Sequence, residues 1–378
     1  MYKTLDDVLT HPSRERSKDV VLPYAPVATE RIAVILNKNA KQVDDKVAKR
    51  LGRLVPASDF YFSHTLEEAE AFARQVVQRG YGTILCGGGD GTLVNVMNHV
   101  FRYVDEANDW RLQRARHFGE RQPLLPYPEF GVLKLGTGNG LSSVVGATKP
   151  AEDLQKVLSG PRHSAVNIDL IESEGQRFFF AGMGYDARIL NDYNAMKEWA
   201  QNKKTMKKLT ATAAGYLMAI LGKSVPTFMR DGFAQNVRVT NQGDDAYFMD
   251  PRRGDRAMPL KHGQVLYEGP AALVGCGTTP FYGFGFKIYP FAGVRPGMMN
   301  LRIATCNPFK PLLNLPSLWK GHWRSQEVLD FLVTKVKVEM EKPMPYQHSG
   351  DGQGSRDNIT FQISERPLKV VDYRGAVV

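Results

Sequence analysis

Short apolar runs alternate with helical repeats along residues 31–135. The run RIAVILN ends at Asn37 and precedes a set of apolar residues at helical spacing. DFYFS precedes HTLEEAEAFARQVVQRG, in which Thr65 and Glu68 have the spacing of a capping box, and YGTILC precedes another helical repeat that starts near Leu93. Strands separated by helices predict a parallel sheet covered by helices, with ligands bound at the carboxyl ends of the strands.

The pattern changes after residue 163. Short alternating runs, among them AVNIDLIES, RFFFAGMG, AALVGCGT and VTKVKVEME, are divided by Gly, Pro and Asp and predict an antiparallel β domain. Helices are predicted to interrupt it at 194–222 and at roughly 308–331. Residues 102–130 are interpreted as a long insertion between a helix and the next strand, with no role assigned to it.

Composition narrows the class of protein. A chain of 378 residues that is 43% hydrophobic is long enough for two cores. A net charge of +10 predicts an anionic partner, which can be a nucleotide, a nucleic acid or an acidic membrane face. No stretch reaches the ~18 apolar residues of a membrane span, and the first residues lack the apolar core of a secretory signal. Cys86, Cys276 and Cys306 lack metal-ligand spacing, so a reducing, cytosolic compartment fits best.

The segment LCGGGDGTLVNVMN at residues 85–98 carries the first candidate chemistry. Glycines between a strand and a helix let backbone N–H groups converge on a ligand, and the helix N-terminus adds partial positive charge, so the turn predicts a phosphate site. Asp90 would repel bare phosphate, which predicts a carboxylate that holds magnesium or accepts a proton. The alternative is a plain glycine turn in which Asp90 caps the helix.

A second strand, turn and helix start follow in FGVLKLGTGNGLSSVVGA. Its turn contains Gly136, Gly138 and Asn139, and Asn37 and Asn39 follow the first strand. All three turns are expected on one rim of the parallel sheet. The chain contains no P-loop, no Rossmann glycine fingerprint and no G-x-S-x-G nucleophile turn.

CGGGDGT followed by LKLGTGNG, with AGMGYDA and GDGQG further on, resembles the diacylglycerol kinase catalytic domain family, which includes sphingosine and ceramide kinases. The resemblance implies an α/β nucleotide-binding domain with a parallel sheet like that of NAD kinases, plus a larger antiparallel β-sandwich domain. It also implies transfer of the γ-phosphoryl group of Mg-ATP to the hydroxyl of a membrane lipid, which enters between the domains. The expected organisation is an N-terminal arm (1–30), the nucleotide domain (31–163), the lipid-binding domain (164–355) and a segment (356–378) that returns to the first domain.

The resemblance also implies site residues. Asp186 and Gly184 match an element beside the lipid cleft, and Asp351 matches a late carboxylate that reaches the nucleotide. The residues expected to bind ATP are Asn37, Asn39, Gly88, Gly89, Gly91, Thr92, Gly136, Thr137, Gly138, Asn139 and Gly352. Asn98 matches an asparagine further along the same helix as Asp90.

This chain departs from the family at several acidic positions. Asn95, Gln353 and Asn300 stand where many relatives have carboxylates, and an amide cannot accept a proton. Asp90 is therefore the first choice for the general base and Asp351 the second, and both are expected to hold Mg²⁺. A catalytically weakened nucleotide- and lipid-binding relative is one alternative, and an NAD kinase is another.

Two segments mix basic, apolar and aromatic residues in a way that suits a membrane surface. They are NKKTMKKLTATAAGYLMAILGK and NPFKPLLNLPSLWKGHWRS, and each can equally pack on the β domain. We expect a peripheral protein at the inner, anionic membrane face, with no nucleic acid partner; a homodimer stays open. The acceptor lipid is diacylglycerol, ceramide or a sphingoid base, since one sequence does not fix the substrate.

Overall fold

The computed structural model describes residues 29–136, 139–160, 164–200, 232–249, 257–282, 285–307 and 309–375. Nearly all of the predicted arm at 1–30 lies outside these residues, as do Thr137, Gly138 and the basic and apolar segment at 202–223. The predicted helical interruption at 194–222 is therefore described only up to Ala200.

The described residues contain strands and helices in the following order along the chain. The strands are β1 (Thr29–Asn37), β2 (Phe60–Ser63), β3 (Tyr81–Gly88), β4 (Glu129–Lys134), β5 (Ala165–Ile168), β6 (Ile171–Ser173), β7 (Gln176–Phe178), β8 (Phe180–Gly184), β9 (Gln235–Asn241), β10 (Ala246–Met249), β11 (Ala257–Leu260), β12 (Val265–Ala271), β13 (Leu273–Gly277), β14 (Met299–Ala304), β15 (Val328–Val333), β16 (Lys335–His348), β17 (Asp351–Ile363) and β18 (Leu368–Val371). The helices are α1 (Asp45–Gly52), α2 (Leu66–Gln78), α3 (Asp90–Phe118), α4 (Gly140–Val145), α5 (Pro150–Ser159), α6 (Tyr185–Ala200), α7 (Phe309–Leu313) and α8 (Leu315–Lys320).

The first sheet is the parallel one that the alternation predicts. Its order is β2-β1-β3-β4-β18-β5, with only β5 antiparallel to its neighbour. Residues 33–36 of β1 are fully buried, as expected for a strand that helices cover on both faces. Thr65 accepts a hydrogen bond from the Glu68 amide at the start of α2, which confirms this half of the predicted capping box.

The second sheet is antiparallel and larger. Its order is β11-β10-β15-β14-β13-β8-β16-β17-β6-β7, and β9 attaches to β16 and carries β12. The two longest strands, β16 and β17, form a hairpin whose turn residues Ser349 and Gly350 have φ of 49° and 87°. The predicted fold class, an α/β domain joined to a larger antiparallel domain, is confirmed.

The chain crosses between the two sheets more than once. β5 belongs to the first sheet and β17 continues in the second sheet to Ile363, so sheet membership changes at different residues from the expected boundaries at 163 and 355. β18 returns to the first sheet between β4 and β5. Asn98 on α3 also contacts β7. Its side chain accepts a hydrogen bond of 2.9 Å from the Arg177 N–H and donates one of 2.8 Å to the Arg177 carbonyl.

Two sequence-based expectations are wrong. The insertion at 102–130 begins as helix, because α3 continues to Phe118 on a stripe of buried residues that includes Tyr103, Val104 and Ala107. Interspersed charges hide this stripe in the sequence. The helical interruption expected at roughly 308–331 ends at Lys320, because residues 328–333 form β15 and pair with β14 along a mostly buried strand.

Among the described helices, none combines the length and hydropathy needed to cross a bilayer.

Candidate active site

Two glycine turns meet at one edge of the first sheet. One joins β3 to α3 and the other joins β4 to α4, and the Leu135 amide donates to the Gly88 carbonyl between them at 3.3 Å. A Cβ placed on Gly136 would overlap the Cα of Gly89 and lie 2.5 Å from the Gly89 amide nitrogen. The two backbones can approach this closely only because Gly136 lacks a side chain.

Asp90 ties the start of α3 to the start of α4. It is 9% exposed, and its carboxylate accepts hydrogen bonds from the amides of Gly140 at 2.7 Å and Leu141 at 3.2 Å. These amides belong to the first turn of α4, where a helix leaves its N–H groups without internal partners. Burial raises the pKa of Asp90, and the two amide hydrogen bonds oppose that rise. Asp90 thus links the two turns in addition to any chemistry it performs.

Asn37 is the last residue of β1 and Asn39 lies just after it, beside the first glycine turn. The Asn37 side chain donates to the Thr92 hydroxyl at 3.0 Å and accepts from the Asn39 amide at 2.9 Å. Asn39 donates to the backbone of His64 at the end of β2 at 2.8 Å. Thr92 in turn crowds Gly88, since a Cβ there would overlap the Thr92 side chain. The described nucleotide residues predicted after β1, β3 and β4 are therefore brought together, and several of them bind one another.

Asn139 has a conformational task. Its φ is 42°, a left-handed value that asparagine tolerates better than most residues, and it precedes α4 as the N-cap. Its buried side chain accepts from the Gly136 amide at 3.2 Å and donates to the Gly136 carbonyl at 2.5 Å. Asn139 therefore fixes the shape of the second turn from inside.

The second sheet delivers a carboxylate to the same place. Asp351 follows the β16–β17 turn and is exposed, and a Cβ on Gly91 would lie 2.5 Å from its Oδ2. The carboxylate therefore lies against the first turn of α3. Gly352 lies beside Asn191 of α6, whose Oδ1 would be 2.6 Å from a Cβ on Gly352. The sequence analysis missed Asn191.

Asp186 lies at the start of α6 in a separate polar cluster. It accepts from the Tyr282 hydroxyl and from the Gln347 side-chain amide, each at 2.8 Å, and Gln347 also donates to the Tyr282 hydroxyl at 3.0 Å. Burial raises the pKa of Asp186, and the two side-chain hydrogen bonds oppose it. Gly184 has φ of 90°, and a Cβ there would overlap the carbonyl of Ala272, so the backbone itself requires glycine.

Sequence reasoning missed Tyr282 and Gln347. Gln347 precedes the recognised GDG element by a few residues, and β16 pairs it with Gly182 beside Asp186. Tyr282 lies in the aromatic run FYGFGF, in which nothing singles out one residue. The proximity of Gln347 to a known motif was the only usable signal.

One loop connects the Asp186 cluster to the glycine turns. A Cβ on Gly140 would lie 3.0 Å from the carbonyl oxygen of Phe281 and 3.4 Å from that of Tyr282. Tyr282 thus contacts the start of α4 through its backbone and Asp186 through its hydroxyl. The two clusters are therefore neighbours, at the place where the resemblance implies a cleft between the domains.

The residues at this edge fit a nucleotide and a magnesium ion. The turn glycines have no Cβ to exclude phosphate, and α3, which runs from Asp90 to Phe118, directs its N-terminus at the same place. No group of three or more possible metal-ligating acidic, His or Cys side chains occurs in the described part of the chain. Magnesium is commonly held by one or two carboxylates plus phosphate oxygens and water, a set that Asp90 and Asp351 can supply.

Comparison with known proteins agrees with this geometry. Residues 31–172 match the profile of the diacylglycerol kinase catalytic domain. The matched residues include Asp90 and both glycine turns. "Probable lipid kinase YegS" of Shigella boydii is 24% identical over 307 residues, which cover 80% of this chain and 77% of that protein. "Probable lipid kinase YegS-like" of Serratia proteamaculans is 23% identical over 287 residues, covering 75% and 74%.

Solved structures show the same fold. A putative diacylglycerol kinase from Bacillus anthracis superposes with a TM-score of 0.59 at 16% identity, over 92% of this chain and 99% of that one. A second structure, described as a diacylglycerol kinase from the same organism, gives a TM-score of 0.55 over 92% and 98%. The family resemblance stated from the motifs is confirmed, and so is the expected enzyme class, a lipid kinase.

Proposed function

We propose that this protein transfers the γ-phosphoryl group of ATP to the hydroxyl of a membrane lipid, with diacylglycerol, ceramide and a sphingoid base as the candidate acceptors. The observation that carries the proposal is the contact between Gly136 and Gly89 beside buried Asp90. It brings two phosphate-type turns and a carboxylate to one edge of the sheet. Phosphoryl transfer needs mainly positioning and charge stabilisation, which these groups supply.

The nucleotide part of the site consists mostly of backbone. Backbone N–H groups around Gly89 and at the start of α3 would hold the phosphates, and Asn37 and Thr92 support the turn from the side. Magnesium, when bound, offsets the charge on the phosphate oxygens. Asp351 and Asp90 are the carboxylates that we expect to hold it.

Asp351 is the better candidate for the general base. Asp90 is 9% exposed, whereas Asp351 is an exposed residue whose carboxylate lies against the first turn of α3. A base must reach the hydroxyl from which it takes a proton. We therefore assign proton acceptance to Asp351 and alignment of the two turns to Asp90, which reverses the order favoured by the sequence alone.

The acceptor end of the cleft contains Asp186, Tyr282 and Gln347. Their carboxylate, hydroxyl and amide groups can bind the polar end of a lipid that carries a hydroxyl beside an ester, amide or amine. This chemistry suits each of the three candidate acceptors. The carboxylate adds preference for a cationic sphingoid base when Asp186 is ionised.

The test is a substrate panel. Purified protein, labelled ATP and Mg²⁺ are incubated with mixed micelles of each lipid and, separately, with NAD. We expect one lipid to be phosphorylated, and we expect Asp351→Asn to reduce turnover by about 10²-fold or more. Asp357→Asn, an exposed acid on the same strand, is the matched control and keeps full activity. Phosphorylation of NAD alone would show that the protein is an NAD kinase. No product with any substrate would favour the alternative of a catalytically weakened relative.

A further inference from the structure

The short helices α7 and α8 present apolar side chains to solvent. Residues 309–320, here called the tip hairpin, include Leu313 and Trp319, which are 82% and 47% exposed. Leu313 is the most exposed large hydrophobic side chain in the described part of the chain. Large apolar side chains this exposed, six positions apart in one short segment, indicate a surface that binds a partner or a membrane.

The two nearby tryptophans have different environments. Trp323 packs against a small core cluster that includes Leu273 and Cys306, whereas Trp319 touches the ring of Phe286 at 4.6 Å and leaves nearly half of its surface exposed. A tryptophan held on one face and open on the other is typical of membrane interfaces. The segment therefore contains both a core-packed tryptophan and a half-exposed one, which the sequence could not separate.

The stretch of sequence that contains the tip hairpin carries basic residues and no acidic ones. The sequence contains no Asp or Glu between Glu268 and Glu327. The exposed or half-buried cations in this interval are Lys287, Arg295, Lys310, Lys320 and Arg324. Lys310 contacts Glu327, the first acid after the interval. Long basic side chains together with exposed Leu and Trp complement a lipid bilayer, whose interior is apolar and whose headgroups can be anionic.

We propose that the tip hairpin docks on an anionic lipid bilayer, with Leu313 and Trp319 inserted and the surrounding cations at the headgroups. The proposal rests on the proposed function for its purpose, since the acceptor would be a bilayer lipid. A second protein chain fits less well, because a stable protein interface buries about 800 Å² on each partner. Two exposed apolar side chains, Leu313 and Trp319, supply only a small part of such an area.

The tip hairpin is connected to the active-site cleft by direct contacts. Trp319 packs on Phe286, and the Phe286 carbonyl accepts a hydrogen bond of 2.7 Å from the Tyr282 amide. The Tyr282 hydroxyl in turn donates to Asp186. Docking at this hairpin would therefore hold the acceptor end of the cleft near the membrane.

Vesicle sedimentation tests the docking surface without using catalysis. The full chain is mixed with phosphatidylcholine vesicles that contain or lack phosphatidylglycerol. We expect binding to the anionic vesicles that weakens with salt, and a decrease of about tenfold or more for Leu313→Glu, because one Leu-sized side chain is then excluded from the bilayer. Phe118→Glu is the matched control, since Phe118 is 64% exposed at the far end of α3 and should bind as the parent does.

A second variant and a second substrate make every outcome informative. Lys320→Glu should weaken binding to anionic vesicles and leave binding to neutral ones unchanged. Leu313→Glu should phosphorylate vesicle-embedded diacylglycerol poorly and a water-soluble short-chain diacylglycerol normally. Equal vesicle binding by Leu313→Glu and the parent would overturn the docking proposal. Vesicle binding that depends on Leu313, with no lipid phosphorylated in either form, would overturn the proposed function alone.

Discussion

The two aspartate clusters of the cleft differ in what holds the carboxylate. Asp90 accepts from two backbone amides of α4, and Asp186 accepts from the side chains of Tyr282 and Gln347. A backbone N–H only donates. A proton added to the Asp90 carboxylate would therefore face a second donor, and one of the two hydrogen bonds to α4 would weaken. A tyrosine hydroxyl both donates and accepts, so it can serve Asp186 in either protonation state. The hydrogen bonds to Asp90 therefore depend on the backbone fold. Those to Asp186 depend on two side chains that a substitution can change.

Removal of the Asp90 carboxylate should have the largest effect. Asp90→Ala leaves the Gly140 and Leu141 amides without an acceptor in a buried position, at a cost of about 1–3 kcal/mol each. We expect loss of stability together with loss of kinase activity, measured by urea unfolding and ATP turnover. Asp109→Ala, on the exposed side of the same helix, should change stability by no more than about 0.5 kcal/mol. An Asp90→Ala protein of unchanged stability would show that Asp90 does not tie the turns together.

The second-largest effect is expected when a methyl group is added where the two turns touch. In Gly136→Ala the new Cβ meets the Gly89 backbone, which cannot rotate away, so we expect a loss of about 1–3 kcal/mol and weaker ATP binding. Gly89→Ala is the informative partner, because its Cβ would lie an ordinary 3.7 Å from Gly136. It should keep stability while crowding the nucleotide, as measured by calorimetric titration with ATP. If both variants bind ATP as the parent does, the turns do not form the phosphate site.

A smaller change separates the acceptor end from the nucleotide end. Tyr282→Phe removes the hydroxyl that donates to Asp186 and accepts from Gln347. We expect KM for the lipid to rise by about tenfold, equivalent to about 1.4 kcal/mol, with KM for ATP unchanged. Tyr267→Phe, which loses a hydrogen bond to the backbone of Pro270, is the control. A shift in KM for ATP instead would contradict the division of the cleft.

The smallest expected effect is on the pH dependence of stability. The pKa of Asp186 is raised by burial above the ordinary value of 3.8, so its favourable contribution is complete below that value and is lost as pH rises through the folded pKa. Asp186→Asn does not titrate, and its free energy of unfolding should fall less over that range. Asp90 shifts in the same direction but is present in both proteins. Parallel curves for parent and variant in urea titrations at several pH values would refute the assignment.

The first sheet and its turns could be predicted because they depend on local sequence. Apolar strands, glycines and the next helix start are contiguous, so the edge that holds Gly89 and Gly136 follows from parallel order alone. The acceptor cluster could not be predicted in this way, because Tyr282 and Gln347 are 96 and 161 positions from Asp186. Their proximity depends on how the antiparallel strands pair. The role of Asn139 could not be predicted for another reason. An asparagine is equally suited to a left-handed N-cap and to ligand binding, and the sequence does not distinguish the two.

The position of β18 has a consequence for how the chain is made. Strand β18 lies between β4 and β5, with Leu368, Val370 and Val371 buried, so the sheet that would bind nucleotide is incomplete until residue 371 has left the ribosome. A nascent chain that ends after residue 172 would expose the open edges of β4 and β5, and exposed strand edges favour association between chains. Residues 31–172, although they match a catalytic domain profile, should therefore aggregate when produced alone. The same dependence would delay nucleotide binding until the second sheet has folded and returned the chain to the first.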